Sequence, residues 1–231
     1  MKIIQRLFLA LLAIATMGLT RSPAESDFTH HRQMSVICAG TWRPLCEREV
    51  ARKKAEIQTG LIRAGFIHLA PSDFDDIFYS AVEAETLYGV DYRLVTALAA
   101  VESSLKTSAL SHKGARGLLQ VMPATAKAIW SGFIDSLPVT DELRTSSSSH
   151  YTSSVRQSML LGVYYLAYLR DQFGGNDHLA LASYNVGPAR LRRSMAEGEF
   201  PGMEYALKVR RLYRTLGPMR GPATGLSPLP L

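Results

Sequence analysis

Apolar residues recur at helical spacing along most of this chain, and no segment of convincing length alternates with the two-residue period of a β-strand. The clearest stripe runs from Leu94 through Leu98 and Val101 to Leu105, in steps of four, three and four residues. These side chains share one face of a helix, and that face must be buried against other elements. A mainly α fold is therefore expected.

Caps and breaks divide this pattern into successive helices. Ser72 and Asp91 are predicted to be N-caps, and the pair Tyr88-Gly89 is predicted to end the helix between them. The Ser/Thr-rich segment 145–154 lacks periodicity and is predicted to be a solvated loop. The predicted helices cover approximately residues 47–66, 72–88, 91–105, 123–130, 155–173, 178–184 and 204–216.

The N-terminus has the pattern of an export signal. Lys2 and Arg6 precede an apolar run over residues 7–19, and small residues follow at 22–24. Because this run is short for a bilayer span, residues 1–24 are predicted to be a cleaved signal peptide and the protein to be periplasmic. The alternative is an uncleaved membrane anchor. The rest divides into a predicted N-terminal extension, a main helical domain and a flexible Pro/Gly-rich tail, at residues 25–72, 73–216 and 217–231.

Charge and cysteines constrain the partners and the compartment. Removal of residues 1–24, which hold three basic residues and no acidic one, lowers the formal net charge from +6 to +3. The basic residues are scattered without a stacked-aromatic motif, so nucleic-acid binding is not expected.

Cys38 and Cys46 are the only cysteines, and in an oxidising compartment they are predicted to form a disulfide. A metal site with the nearby His30 and His31 is the alternative, although two cysteines alone cannot build a structural zinc site.

Glu102 is the candidate catalytic residue. It falls at the edge of the apolar stripe, beside Val95 and Leu98, where loss of hydration disfavours the ionised carboxyl. A carboxylic acid that stays protonated near neutral pH can protonate the leaving oxygen of a glycosidic bond. If Glu102 is considered without the other segments, the competing interpretation is a solvated glutamate on the surface of a helix.

Most glycosidases need a second carboxylate as nucleophile or base, and this chain shows no obvious one. The other acids considered are placed in or near an exposed loop or beside a Gly-Gly break, and they are Asp135, Asp141, Glu142, Asp171 and Asp177. A site with one carboxylate can instead use the 2-acetamido group of the sugar as the nucleophile.

Two further segments carry polar groups suited to sugars. Gly114 and Gly117 allow a tight backbone near a ligand, Gln120 offers an amide that can donate and accept, and Met122 offers a soft apolar wall. The competing interpretation is a turn that connects two helices.

The second segment is a short helix that ends in Tyr184 and Asn185, a ring with a hydroxyl followed by an amide. The competing interpretation is that Tyr184 is a core residue and that Asn185, together with Gly187, caps the C-terminus of the helix.

Three blocks resemble the signatures of the soluble lytic transglycosylase family, whose fold is lysozyme-like. They occur in the family's order and spacing, and they are Glu102-Ser103, then residues 114–120, then residues 182–187. Leu119 stands where the family usually has Met, and Ser183 where it usually has Ala. The resemblance covers about residues 74–214, which leaves the N-terminal extension outside it.

The resemblance implies a role for each matching residue. Glu102 would be the sole acid and base, and Tyr205 would donate a hydrogen bond near it. The residues that would bind N-acetylmuramic acid or orient its acetamido group are Ser103, Gln120, Tyr184 and Asn185. Met122, from its side-chain chemistry, and Tyr205, from its place near Glu102, are also predicted to be substrate-binding residues. Ser158 stands where an Asn is expected before the long helix, and Pro201-Gly202 replaces the usual Glu-Thr. The family uses no cofactor and no metal.

The expected function is non-hydrolytic cleavage of the β-1,4 bond between N-acetylmuramic acid and N-acetylglucosamine in peptidoglycan, by a monomer, with a 1,6-anhydro product. The short chain resembles the small enzymes that open the wall for conjugation, pilus or secretion complexes. Two alternatives stay open: a hydrolase resembling goose-type lysozyme, and a non-catalytic glycan-binding scaffold of a wall-spanning machine.

Overall fold

A computed structural model describes residues 33–217 of the chain. The predictions for the signal peptide, for His30 and His31, and for the tail beyond Gly217 lie outside these residues. From Arg43 onward the helices are α1 (Arg43–Arg63), α2 (Pro71–Tyr88), α3 (Tyr92–Ser103), α4 (Pro123–Ser136), α5 (Val155–Gln172), α6 (Asp177–Val186), α7 (Pro188–Ala196) and α8 (Met203–Leu216). Two 3₁₀ turns, Glu142–Thr145 and Ser148–His150, lie between α4 and α5. The predicted mainly α fold is confirmed.

One hydrophobic core joins these helices. Helix α2 packs along α5, α3 packs between α2 and α8, and α8 also packs on α6. Burial of this apolar surface supplies the main favourable term in folding. The largest fully buried side chains are Phe78, Phe133, Ile57, Ile77, Leu98, Leu118, Leu119, Met159, Leu160, Leu161, Leu166 and Leu169. Within residues 33–217, no helix is both long enough and apolar enough to cross a membrane.

Several predicted helix boundaries are wrong. Ser72 is not an N-cap, because α2 already begins at Pro71 and its first backbone hydrogen bond runs from Phe74 N to Ala70 O, at 2.9 Å. Proline suits this first position, since its missing N–H would have no partner inside the helix. Asp91 does cap α3, since its carboxylate accepts from Arg93 N at 2.8 Å. Helix α4 runs six residues beyond the predicted Trp130.

The prediction that Asp141 lies in an exposed loop is also wrong. Its side chain is 5% exposed and pairs with Arg156, which in turn binds the fully buried Glu83 through two nitrogens at 2.6 and 2.8 Å. Tyr151, within the segment predicted to be solvated, is 2% exposed and donates to Val121 O. Tertiary partners bury both residues, and local periodicity cannot show such partners.

The N-terminal extension packs on the rest of the described chain. Cys38 and Cys46 form a disulfide, and the buried Gln33 donates to Glu83 Oε2 at 3.1 Å. At the other end of α1, Gly60 touches the backbone of Leu216 so closely that a β-carbon there would lie 2.7 Å from its Cα. The division of the chain into separate domains stays a prediction.

Candidate active site

Glu102 occupies the last turn of α3, where the chain leaves the helix abruptly. Ser104 caps the helix in the left-handed conformation with φ 54°, and Leu105 follows with φ 63°. A bulky residue rarely adopts positive φ, and such backbone strain is concentrated at functional sites. The turn sends Leu105 into the core, where it is 3% exposed, and it leaves the Glu102 carboxyl half-buried at the end of the helix.

Burial raises the pKa of Glu102 above its ordinary value, because desolvation penalises the charged form. Two groups oppose this rise: the Tyr205 hydroxyl, which donates to Glu102 Oε1, and the positive charge of Lys208. Burial and the nearby carboxylate also raise the pKa of Tyr205 well above its usual range. Tyr205 therefore keeps its proton and remains the donor of this hydrogen bond. Burial thus favours the protonated carboxyl, while Tyr205 and Lys208 favour the carboxylate.

Tyr205 reaches Glu102 because α8 begins very close to α6. Gly202, the N-cap of α8, has φ 83°, and a β-carbon on it would lie 2.8 Å from Ala182 O. Only glycine satisfies both the positive φ and this close approach. The Pro201-Gly202 pair, which departs from the family pattern, is therefore the point where the chain turns to bring Tyr205 to the acid.

The glycine-rich loop before α4 is held by its own amide. Gln120 adopts a left-handed conformation with φ 47°, and its Nε2 donates to Gly117 O at 2.8 Å and to Ala109 O at 3.2 Å. Because both amide hydrogens are donated to the loop, Oε1 is the atom that this side chain can offer a ligand. The sequence analysis expected the Gln120 amide both to donate and to accept hydrogen bonds with a ligand. In the structure it can only accept one, through Oε1.

The loop rests on the long helix α5. Gly117, with φ 75°, lies over Ser158, whose Cβ would be 3.2 Å from a β-carbon at that glycine. Ser158 lies within the first turns of α5, not before it, and its Oγ donates to Val155 O. Gly162 allows a similar contact further along α5, since a β-carbon there would lie 2.6 Å from the Leu119 side chain. The small residues Ser158 and Gly162 therefore determine how closely the glycine-rich loop approaches α5.

Tyr184 connects this loop to α6. Its hydroxyl donates to Leu119 O at 2.7 Å, and its ring packs on Tyr165 with 5.3 Å between centroids. Burial first, and then the charge of Glu102, raise the pKa of Tyr184 well above its usual value. The hydroxyl of Tyr184 thus orders the loop that carries Gln120, and its ring lies within the electrostatic influence of Glu102.

The other predicted site residues have different surroundings. Ser103 is buried, and its Oγ donates to Ala99 O within α3, at 2.9 Å. Met122, the N-cap of α4, is 39% exposed, and Asn185 is exposed in the last turn of α6. A role in substrate binding stays a prediction for all three residues.

Sequence reasoning missed Lys208, and it noted Gly202 only as a departure from the family pattern, without its structural role. Lys208 lies one turn beyond Tyr205 on the same face of α8, and this spacing of three residues could have associated the two side chains. For Gly202 the sequence holds no comparable signal, because its importance lies in contact with a helix about 20 residues earlier.

These elements define a helical domain in which the half-buried Glu102 is held by a tyrosine and flanked by a glycine-rich loop. The sequence profile described as "Transglycosylase SLT domain" matches residues 80–204, more than half of the chain. The chain therefore belongs to the transglycosylase SLT domain family, which confirms the family predicted from the three blocks.

Individual relatives are consistent with this assignment. A "Membrane-bound lytic murein transglycosylase F" of Nitrosospira multiformis is 36% identical over 115 residues, which cover 47% of this chain and 20% of that protein. The "Peptidoglycan transglycosylase gp16" of Escherichia phage T7 is 31% identical over 132 residues, or 57% of this chain and 9% of that protein. The match thus spans a fifth or less of the length of these two relatives.

Among solved structures, the 70 kDa soluble lytic transglycosylase from Escherichia coli aligns with a TM-score of 0.43 and 23% identity, over 64% of this chain and 29% of that one.

Proposed function

We propose that this protein is a peptidoglycan lytic transglycosylase, which cleaves the β-1,4 bond between N-acetylmuramic acid and N-acetylglucosamine without water. The observation that carries the proposal is the half-buried Glu102 bound by Tyr205. Membership of the transglycosylase SLT domain family supports it, as do relatives named lytic murein transglycosylase.

In the first step, Glu102 acts as a general acid. Because Oε1 accepts from Tyr205, the acidic proton is carried by Oε2, which is free to face the substrate. That proton passes to the glycosidic oxygen as the bond from this oxygen to C1 of the muramic acid breaks. The carbonyl oxygen of the sugar's own 2-acetamido group forms a bond to C1 and takes the role that a second carboxylate has in most glycosidases.

In the second step, the same carboxylate acts as a general base. It takes the proton from the sugar's 6-hydroxyl, whose oxygen attacks C1 and displaces the acetamido oxygen. The product carries a 1,6-anhydro bridge, and Glu102 is protonated again for the next cycle. Tyr205 and Lys208 stabilise the carboxylate that exists between the two steps.

The decisive experiment is a mass spectrum of the products from purified sacculi. A transglycosylase leaves anhydro ends, which are lighter by one water than the products of a hydrolase resembling goose-type lysozyme. Glu102→Gln should keep the fold and abolish release of soluble products, because the amide cannot donate the proton. Hydrolysed ends would assign the chain to the hydrolase. A wild-type protein that binds sacculi without cutting them would assign it to the non-catalytic scaffold.

The proposed setting is the periplasm, reached through the N-terminal export signal, and the proposed assembly is a conjugation, pilus or secretion complex. The basic last helix and the Pro-rich tail are the surfaces suggested for docking. A pull-down from envelope extracts tests this suggestion. A protein truncated after Gly217 that recovers the same partners as the full chain would contradict a docking role for the tail.

A further inference from the structure

Two tyrosine hydroxyls hold the backbone on either side of Gln120. Tyr184, on α6, donates to Leu119 O at 2.7 Å. Tyr151, in the connection between α4 and α5, donates to Val121 O at 2.8 Å. Gln120 itself has φ 47°, in a region that residues other than glycine rarely adopt. The carbonyl groups before and after this residue are therefore each held from a different part of the fold.

Tyr151 is itself fixed in place by the long helix α5. Its side chain is 2% exposed, and the segment around it is held on both sides by the fully buried Gln157. The Gln157 side chain donates to Ser146 Oγ at 2.9 Å and accepts from Ser153 Oγ. Residues that bind a substrate need support of this kind to stay in a productive geometry.

The same segment also covers the glycine-rich loop. The Thr152 methyl group lies 3.2 Å from the position that a β-carbon on Gly117 would occupy. Burial raises the pKa of the Tyr151 phenol, and the positive charge of Arg116 opposes this rise. Because the pKa lies above the ordinary value of about 10, the hydroxyl keeps its proton at neutral pH and remains a donor.

We propose that Tyr151 is a positioning residue for the proposed reaction, because through Val121 it holds the Gln120 side chain in place for the sugar. The proposal rests on the proposed function, in which Gln120 binds the substrate through Oε1. Tyr151 lies outside the three sequence blocks that carry the family resemblance. It acts through the backbone, so it need not touch the substrate.

Tyr151→Phe removes the hydroxyl and keeps the buried ring, so the fold should be retained. Val121 O also accepts from Arg116 N at 3.1 Å, and it therefore keeps one donor in this variant. A neutral hydrogen bond makes a modest net contribution, so we expect kcat/KM on sacculi to fall about fivefold. Tyr88→Phe removes the same atom from a hydroxyl that bonds to Ser136 at the last residue of α4. This control should leave kcat/KM unchanged.

A double-mutant cycle shows whether Tyr151 acts through Gln120. In the Gln120→Ala background, Tyr151→Phe should change kcat/KM by less than about twofold, because the side chain that it positions is gone. A residue that only stabilised the fold would have the same effect in both backgrounds. Equal losses in the two backgrounds, or no loss in the wild-type background, would overturn the proposal.

Amide hydrogen exchange tests the support of the loop without any activity. Arg116 N donates to Val121 O, and Gln120 N donates to Gly117 O at 3.3 Å, so both amides report opening of the loop. In Tyr151→Phe we expect both to exchange about fivefold faster than in the wild type or in Tyr88→Phe. A wild-type protein that cuts no sacculi would contradict the proposed function, while faster exchange would still support the role of Tyr151 in holding the loop. Unchanged exchange at both amides would overturn that role.

Discussion

Replacement of Gly202 by alanine tests whether the close contact between α8 and α6 sets the position of Tyr205. The new β-carbon would lie 2.8 Å from Ala182 O and 3.1 Å from Ala182 Cα, and φ is 83°. Positive φ costs alanine about 1–2 kcal/mol, and overpacking adds about 1–3 kcal/mol. We expect a loss of about 2–5 kcal/mol in the free energy of unfolding, and most of the activity should be lost because Tyr205 is displaced from Glu102.

Gly198 provides a matched control for this experiment. It precedes Gly202 in the same connection, has φ 79°, and has open space where a β-carbon would be. Gly198→Ala should therefore lower the free energy of unfolding only by the cost of positive φ, about 1–2 kcal/mol. It should keep near wild-type release of soluble products from sacculi. Urea denaturation measures both variants. Equal stability losses with equal activities would refute the argument that the contact between α8 and α6 positions Tyr205.

The remaining predictions concern the buried charges. Tyr205→Phe removes a hydrogen bond that favours the carboxylate, so the pKa of Glu102 should rise further and the alkaline limb of the pH–rate profile should move to higher pH; an unmoved limb contradicts this. Burial raises the pKa of Glu102 in the folded state, so the folded protein binds the extra proton. Wild-type stability relative to Glu102→Gln should therefore fall as pH rises from about 4 through the raised pKa, and a urea-denaturation difference that does not change with pH would be inconsistent with a buried acid. Arg156→Met leaves Glu83 and Asp141 without their shared cation and should cost about 3–5 kcal/mol at neutral pH; chemical denaturation that shows less than about 1 kcal/mol would indicate that other groups hold these carboxylates.

Periodicity was sufficient to predict most of the helices, because a helix that buries one face must repeat its apolar residues at helical spacing. Helix α7 escaped this reasoning. Leu191 is its one buried residue, so no stripe exists to detect. The Gly187-Pro188 pair that starts it was the available signal, since proline favours the first helical position.

The active-site residues were predictable to a different degree. The position of Glu102 at the edge of a stripe indicated its partial burial, which desolvation then turns into a raised pKa. The use of the Gln120 amide by its own loop could not be predicted, because it depends on the left-handed backbone at that residue. The buried pairing of Asp141 with Arg156 depends on folding of the loop between α4 and α5, and no local pattern encodes it.

The contact between α1 and the end of α8 has a consequence for how the molecule tolerates truncation. Arg63 donates to the carbonyl oxygens of Thr215 and Gly217, at 2.8 and 2.7 Å, and so satisfies acceptors that a helix end leaves without partners. Two segments from opposite ends of the described chain therefore depend on each other for stability. A deletion that starts the protein at α2 would weaken the packing of the last helix. Tyr205, which that helix carries, would then be less firmly positioned, although no catalytic group was removed.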